Sequence, residues 1–539
     1  MIHLYKIAHF YPMNILKSIF YFAFCLSLFS CSAEKSTKNS QKPQQLTLSE
    51  KIENALKDGV LVEIGYSTAV QDSIMRFYRN RSFQPVWLTS DSLNKSAKKM
   101  YALLKNAPAI GLPTSRTQVT IPKKWRKKEV VFEIIQSAQF AHVLVDLKTG
   151  FIDESQMKVK PKTVVALHQL NRALKELDTV AQWDQWFAHF GPASNAYFQL
   201  ATVTFRDYYL QQVSDKSIAI PSLKTDSIEH INKTIEALKS HSYSMDTTKE
   251  LRLGLSDALK QFQINHALTA DGVNGKYTTE LLSESPLHQQ KRTLLALEKL
   301  RWRKENSPTF LWINIPSFTL DYFFNDTLRS THKVVVGKLD TPTPLLQARL
   351  SSIITLPFWT EPYSIASTEF LTAIRKSAAY AEKNQLKVFR KKQEVDPLAV
   401  NWKRYSKKNF PFTIRQEPGV HNALGLLKFE FANNFNVYIH DTPSKGFFKK
   451  DIRAFSHGCM RCEQPDSLAR IILRNDVGQK TIPDSLMALI TRKEQRRISL
   501  RNPIPIIVDY ITVTVSADNK RIIHVDIYKK DEEFIRFFD

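Results

Sequence analysis

From about Leu48 to Lys239 the apolar residues recur every three to four positions, as in Ile134, Ile135, Ala138, Ala141 and Val145, and again in Ile228, Ile231, Ile235 and Leu238. That period predicts a run of amphipathic helices. Within it, Phe77-Tyr78-Arg79 and Gln84-Pro85-Val86-Trp87 form an aromatic cluster, readable as a ligand platform or, more simply, as an anchor for helix packing. From Leu311 onward the texture changes to β-branched and aromatic runs, such as Val334-Val335-Val336, Ile353-Ile354 and Ile506-Ile507-Val508, which predict a β-rich domain. Leu427, Phe429 and Phe431 alternate with Lys428 and Glu430, Asn433-Asn434 suits a hairpin turn, and Phe435, Val437 and Ile439 return on the next strand. His440 stands at the end of that strand. The fold class expected is multidomain α+β.

Between these regions lies a short unit. Leu259, Phe262 and His266 share a helical face, Leu268-Thr269-Ala270-Asp271-Gly272-Val273-Asn274-Gly275 is turn-rich, and Thr278 opens a helix through Leu281 and Leu282. Phe262-Gln263, Leu268, Asp271-Gly272, Gly275, Thr278 and Leu281 resemble the three-helix peptidoglycan-binding module, which implies a wall-binding role; a helical unit kept for packing alone is the plainer reading.

The N-terminus carries an apolar run, Ile19 to Phe29, too short to span a bilayer and preceded by Lys17. It ends in Leu28-Phe29-Ser30-Cys31, which resembles the lipobox of bacterial lipoproteins and implies lipidation at Cys31. A start at Met13 gives a more compact signal. The Ser-, Lys- and Gln-rich stretch from Ser32 to Gln45 suits a flexible tether, and nothing later in the chain reads as a membrane span. The expected location is the cell envelope, facing the periplasm.

Charge and cysteine usage sharpen this picture. The net charge of +24 favours an anionic partner, and an export signal removes nucleic acid from the candidates. With Cys25 in the signal and Cys31 lipidated, only Cys459 and Cys462 remain, so no disulfide framework holds the fold. The segment from Arg375 to Arg415 holds 12 Lys or Arg against Glu382, Glu394 and Asp396. Such a run is a solvated face or, at this place in the chain, a lid over a substrate groove.

The densest chemistry is His440-Asp441-Thr442-Pro443 followed by Ser456-His457-Gly458-Cys459-Met460-Arg461-Cys462. A thiol beside an imidazole, with cationic Arg461 to increase its thiolate fraction, suits nucleophilic catalysis. Gly458 lets the backbone approach a substrate, and neighbouring N–H groups suit an oxyanion hole. Two His and two Cys also have the donor set of zinc, although His457 and Cys459 are too close on a turn to reach one ion together. A redox Cys-x-x-Cys pair is the third reading, without the βαβ context usual for it.

These residues resemble the L,D-transpeptidase (YkuD-type) family, whose signature is a His, a loop, then Ser/Thr-His-Gly-Cys and an Arg or Asn two residues on. The wider run is similar to the large multidomain murein transpeptidases of the YcbB type: Gln416-Glu417-Pro418-Gly419, Asn422-Ala423-Leu424-Gly425, Lys428-Phe429, Tyr438-Ile439-His440-Asp441-Thr442-Pro443 and Arg453-Ala454-Phe455-Ser456, with Arg301-Trp302, Pro357-Phe358-Trp359 and Asp526-Ile527-Tyr528. Cys462 departs from the pattern, which has an apolar residue there. The resemblance implies a signal peptide at 1–31, a tether at 32–47, a helical scaffold at 48–245, a peptidoglycan-binding module at 246–288 and a catalytic domain at 289–539 with a lid near 366–415.

It also implies acyl transfer on peptidoglycan stem peptides. Cys459 attacks the carbonyl of the third residue of a donor tetrapeptide and expels D-Ala, and an acceptor amine resolves the thioester into a 3-3 cross-link. His440 manages the proton, oriented by the Asp441 backbone carbonyl. His457 and Gly458 shape the loop and oxyanion hole, and Arg461 tunes its electrostatics. Ser456, Tyr438, Trp359, Asn422 and Gly425 are expected to line the substrate site, and Phe262, Gln263, Asp271, Gly272 and Gly275 the module. No cofactor or metal is implied. An L,D-carboxypeptidase, an enzyme attaching protein to the wall, and a non-catalytic peptidoglycan-binding lipoprotein remain alternatives on the same residues.

Overall fold

The computed structural model describes residues 46–63, 65–89, 92–112, 129–152, 167–208, 213–303, 307–479 and 485–538. The signal, Cys31 and most of the tether lie outside them. The chain divides into two compact units, Met1–Pro192 and Ala193–Asp539.

The first unit is helical: α1 (Leu48–Lys57), α2 (Val60–Glu63), α3 (Thr68–Arg79), α4 (Lys95–Asn106), α5 (Glu129–Thr149), α6 (Leu167–Thr179) and α7 (Trp183–Phe190). Thr47 and Glu50 form a reciprocal capping box at the start of α1, so the first helical N–H groups have partners. Helix α5 buries Phe132, Ile134, Phe140, Val143, Leu144 and Leu147. It is long and apolar enough to cross a membrane by length and composition, contrary to the sequence reading, but most of it is buried within the unit. The aromatic cluster is an anchor: Tyr78 and Trp87 are fully buried, and both donate to groups on α5. The Tyr78 hydroxyl lies 2.8 Å from Glu133 Oε1, and Trp87 Nε1 lies 2.8 Å from Ser137 Oγ. Burial raises the Glu133 carboxyl above its ordinary range, partly offset by the Val86 and Trp87 backbone N–H groups and the Tyr78 hydroxyl.

The second unit opens with α8 (Asn195–Tyr208), α9 (Ser227–Ser240), α10 (Leu251–Asn265), α11 (Lys276–Ser283) and α12 (Pro286–Trp302). Sequence periodicity grouped α8 and α9 with the helices before them. Packing places them here, because periodicity identifies a helix's apolar face but not its partner. Arg301 of α12 donates to the Tyr197 hydroxyl on α8 at 3.2 Å. Asn274, ahead of α11, donates to Thr234 of α9 at 2.7 Å. The three-helix unit is therefore α9, α10 and α11, and begins before residue 246.

Fifteen strands follow among the described residues. Of these, β1 (Phe310–Asn314), β2 (Thr319–Phe324), β3 (Thr327–Gly337), β4 (Leu346–Thr355), β9 (Leu427–Phe431), β10 (Ile439–His440), β11 (Ala454–Ser456), β12 (Met460–Cys462) and β13 (Arg496–Asp509) form one sheet. Its order is β11-β3-β12-β10-β9-β4-β13-β1-β2, and β2 pairs back onto β3, which closes a barrel with β11 added outside. Closure removes exposed edges. Val334, Val336, Ile353, Phe429, Ile439, Met460, Cys462 and Ile506 fill the core. A small hairpin, β14 (Val513–Val515) with β15 (Arg521–Ile523), follows.

The basic segment is part of a folded subdomain. Strands β5 (Trp359–Thr360), β6 (Leu386–Arg390), β7 (Gln393–Val395) and β8 (Phe412–Gln416) pair in the order β5-β8-β6-β7. Ala366, Phe370, Leu371, Ile374, Val388, Trp402, Phe412 and Ile414 give it its own core. Apolar residues hidden among the charges supply that core, so the Lys and Arg side chains form its solvated surface.

Candidate active site

The site is set by strand register. Parallel pairing of β10 with β12 aligns Ile439 with Met460 and His440 with Arg461. Successive side chains alternate between faces, so Ile439, Met460 and Cys462 point into the core while His440, Arg461 and Cys459 share the other face. Cys462 is fully buried and its thiol donates to the Glu463 carbonyl at 3.4 Å. Bridging Cys459 to Cys462 would require unpairing β12 from β10 and β3. This alternation disfavours both the redox pair and a zinc site using both sulfurs.

His440 is buried, and its Nδ1 lies 2.5 Å from the Asp441 carbonyl oxygen. A carbonyl only accepts, so Nδ1 carries the proton and Nε2 presents its lone pair. Burial, reinforced by Arg461, pushes the imidazole down to about 3, so the ring is neutral. The Asp441 carboxylate is held by the Leu426 N–H at 2.9 Å and by Lys445. Gly425, at φ +59°, leaves room for it: a Cβ there would stand 2.3 Å from Asp441 Oδ2.

Burial also raises the Cys459 thiol, outweighing Arg461 and Lys428. The resting sulfur is protonated: Arg461 does favour the thiolate, as expected, but desolvation outweighs it. The Tyr438 side chain works against this burial by favouring the thiolate, and Trp359 acts in turn on the Tyr438 hydroxyl. Tyr438 also meets His440 edge-on, with centroids 5.5 Å apart, and Lys428 Nζ lies 4.4 Å from its ring centroid.

The loop before Cys459 is fixed by its own hydrogen bonds. Ser456 Oγ donates to the Cys459 carbonyl at 2.6 Å and accepts from Gly458 N–H at 3.2 Å. Thr343 Oγ1 donates to the Gly458 carbonyl at 2.9 Å. Gly458 sits at φ +108°, a conformation that excludes other residues. Its N–H is spent on Ser456 and so is not a free oxyanion-hole donor. His457 Nε2 lies 2.6 Å from Glu369 Oε1 in the subdomain. Arg461 stacks over Phe447, 5.7 Å from its centroid.

Several residues expected to line the substrate site shape its loops. Asn422 is buried, donates to the Glu417 carbonyl at 2.9 Å and accepts from Leu424 N–H at 2.8 Å. Gly425 and Ser456 are spent as described. In the three-helix unit, buried Gln263 donates to Asp271 Oδ1 at 2.7 Å and to the Val273 carbonyl at 2.9 Å, and accepts from Gly272 N–H at 2.9 Å. Phe262 is buried and stacked on His266, and a Cβ on Gly272 would meet Ser256 Oγ at 2.1 Å. Gly275 caps α11 with open space around it. Sequence reasoning missed Glu369 and Lys445, which lie outside the recognisable motifs.

Comparison with known proteins agrees with this geometry. Residues 308–482 match the model of the YkuD L,D-transpeptidase catalytic domain, and residues 72–203 match a scaffold domain. Residues 308–482 thus carry an L,D-transpeptidase catalytic domain of the YkuD type. A putative L,D-transpeptidase of Haemophilus influenzae is 29% identical over 225 residues, covering 41% of this chain and 45% of that protein. The matched region thus spans less than half of that relative's length. Among solved structures, the avibactam carbamoyl enzyme of Ldtfm aligns over 38% of this chain and 49% of its own at 12% identity and TM-score 0.19. An L,D-transpeptidase from Stackebrandtia nassauensis aligns over 52% and 91% at 13% identity and TM-score 0.18.

Proposed function

We propose that this chain is a lipid-anchored, periplasm-facing peptidoglycan L,D-transpeptidase that forms 3-3 cross-links through a Cys459 thioester. The observation that supports it best is the pairing of His440 with Arg461 across β10 and β12, two residues from Cys459, with the imidazole fixed as the Nδ1–H tautomer. That tautomer leaves Nε2 to receive the thiol proton as sulfur attacks the carbonyl of the third stem residue. The Cys459 N–H and Arg461 stabilise the oxyanion, and His440 returns the proton to the departing D-Ala amine. An acceptor amine on a neighbouring stem then attacks the thioester, passes its proton to His440 and releases the thiol. Neutral partners at rest suit this cycle, since charge separates only when substrate excludes water.

The anchor reading rests on Leu28-Phe29-Ser30-Cys31, and the wall-binding reading on the Phe262-Gln263 and Asp271-Gly272 pattern. Incubating purified protein with disaccharide-tetrapeptide and weighing the products tests the function. A dimer lacking one D-Ala, with the new bond between third residues, is expected. Monomeric tripeptide alone would assign the carboxypeptidase instead, and no turnover would overturn the enzyme reading.

A further inference from the structure

A polar cavity of about 220 Å³ lies away from Cys459, at the seam of α8, the ends of α9 and α10, the start of α12 and β15. Its lining includes His241, Tyr243, Asn265, His266, Gln289 and Arg521. Two other cations on the wall are neutralised: Arg206 pairs with Asp207 at 3.0 Å and Lys520 with Asp518 at 2.8 Å. Arg521 is different. Among the described residues no carboxylate reaches ion-pair distance of it, and its hydrogen bond is to the Thr293 hydroxyl at 3.5 Å. Burial lowers its affinity for its proton and outweighs the attraction of Asp207 and Tyr243, so the site carries an incompletely compensated guanidinium.

A second group on the wall also lacks a partner. His266 is 4% exposed, its Nδ1–H donates to the Phe262 carbonyl at 2.7 Å, and its Nε2 is buried with no hydrogen bond. Nε2 is therefore an acceptor awaiting an N–H. Gln289 beside it interacts with the imidazole but spends an amide hydrogen on the Leu281 carbonyl at 2.9 Å, without completing a hydrogen bond to Nε2. Asn265 donates to the Tyr243 hydroxyl at 2.7 Å, leaving that hydroxyl's proton for a ligand oxygen.

We propose that this cavity is a second peptide site, which holds the C-terminal carboxylate of a peptidoglycan stem peptide on Arg521 and Tyr243 and receives its last amide N–H on His266. A peptide C-terminus presents a carboxylate and an amide N–H two bonds from the same carbon, which matches one cation, one hydroxyl and one orphan acceptor. A bidentate carboxylate suits the guanidinium fork. The site lies between the three-helix unit and the catalytic domain, not on the Asp271 to Gly275 loop, whose polar groups are spent on one another. Holding a stem here would tether wall near the catalytic centre and raise its effective concentration. This inference rests on the peptidoglycan reading above.

The test uses full-length protein whose Cys459 has been acylated by a carbapenem, so that the catalytic site is blocked. Calorimetric titration with a free stem tetrapeptide should show one remaining site. Arg521→Gln should weaken it at least tenfold, as should Asn265→Asp, which places a carboxylate beside the ligand's own. Amidating the peptide C-terminus should weaken binding to wild type by a similar factor. Melting temperature and carbapenem acylation rate should stay unchanged in both variants. Absence of the remaining site, equal binding by the amidated peptide, or wild-type affinity in both variants would overturn the proposal. Failure of acylation in wild type would count against the catalytic reading instead, and the titration would then be run on Cys459→Ala.

Discussion

His457 Nε2 and Glu369 Oε1 stand 2.6 Å apart, joining the loop that carries Cys459 to the basic subdomain. Both side chains are partly exposed, so the pair contributes at most about 1 kcal/mol to stability. Its consequence is positional. Glu369→Ala should reduce transpeptidation several-fold while moving the melting temperature little and slowing carbapenem acylation less. Equal slowing of both reactions would mean that the contact supports the thiol loop and not the closure of the subdomain over a peptide.

The Tyr438 side chain favours the Cys459 thiolate as it forms. Tyr438→Phe should slow acylation roughly tenfold, the effect of losing one hydrogen bond of about 1.4 kcal/mol to a charged group. Trp359→Phe, which removes the group acting on that hydroxyl, should have a smaller effect in the same direction. Stopped-flow quenching of protein fluorescence on acylation measures both, and an unchanged rate in Tyr438→Phe would remove the hydroxyl from the account.

Burial raises the Cys459 thiol and lowers His440 to about 3, so between those limits the resting pair is uncharged. Iodoacetamide should therefore alkylate Cys459 slowly at neutral pH, with the rate rising only as pH climbs above the ordinary thiol range near 9. The sign follows from the raised thiol: less thiolate at a given pH than in a free cysteine. Fast, pH-independent alkylation from pH 6 to 8 would show a preformed thiolate–imidazolium pair.

Cys462 packs in the barrel core opposite the catalytic face. Cys462→Ala should remain active, lose about 1 kcal/mol of stability, and respond to reductant no differently from wild type. Activation of wild type alone by dithiothreitol would restore the disulfide switch that the spacing of the two sulfurs suggests.

That last point shows what the sequence made legible. The period of two through Leu427 to Phe431 correctly announced a strand, and the same period carried past Met460 already places Cys459 and Cys462 on opposite faces. The return strand was read too long: Phe435 is exposed, Asn433 closes the turn by accepting from Phe435 and Val437 N–H, and pairing resumes only at Ile439. The basic segment hid its β structure because its strands are short and its core residues are scattered among lysines. Trp359 reaches Tyr438, and Glu369 the Cys459 loop, from far away in sequence, contacts that no local pattern encodes. Asn422, Gly425 and Ser456 were recognisable as motif residues, but motif membership does not separate a loop-former from a substrate contact.

The central claim is that Cys459 forms a covalent acyl intermediate with the help of His440. Intact-protein mass spectrometry after mixing with donor tetrapeptide in the absence of an acceptor tests it directly. Wild type should gain the mass of the donor tetrapeptide minus D-Ala, mapped by peptide digestion to Cys459, with His440→Ala accumulating it far more slowly and Cys459→Ala not at all. An adduct mapped to another residue, or cross-linking by Cys459→Ala at the wild-type rate, would contradict the account.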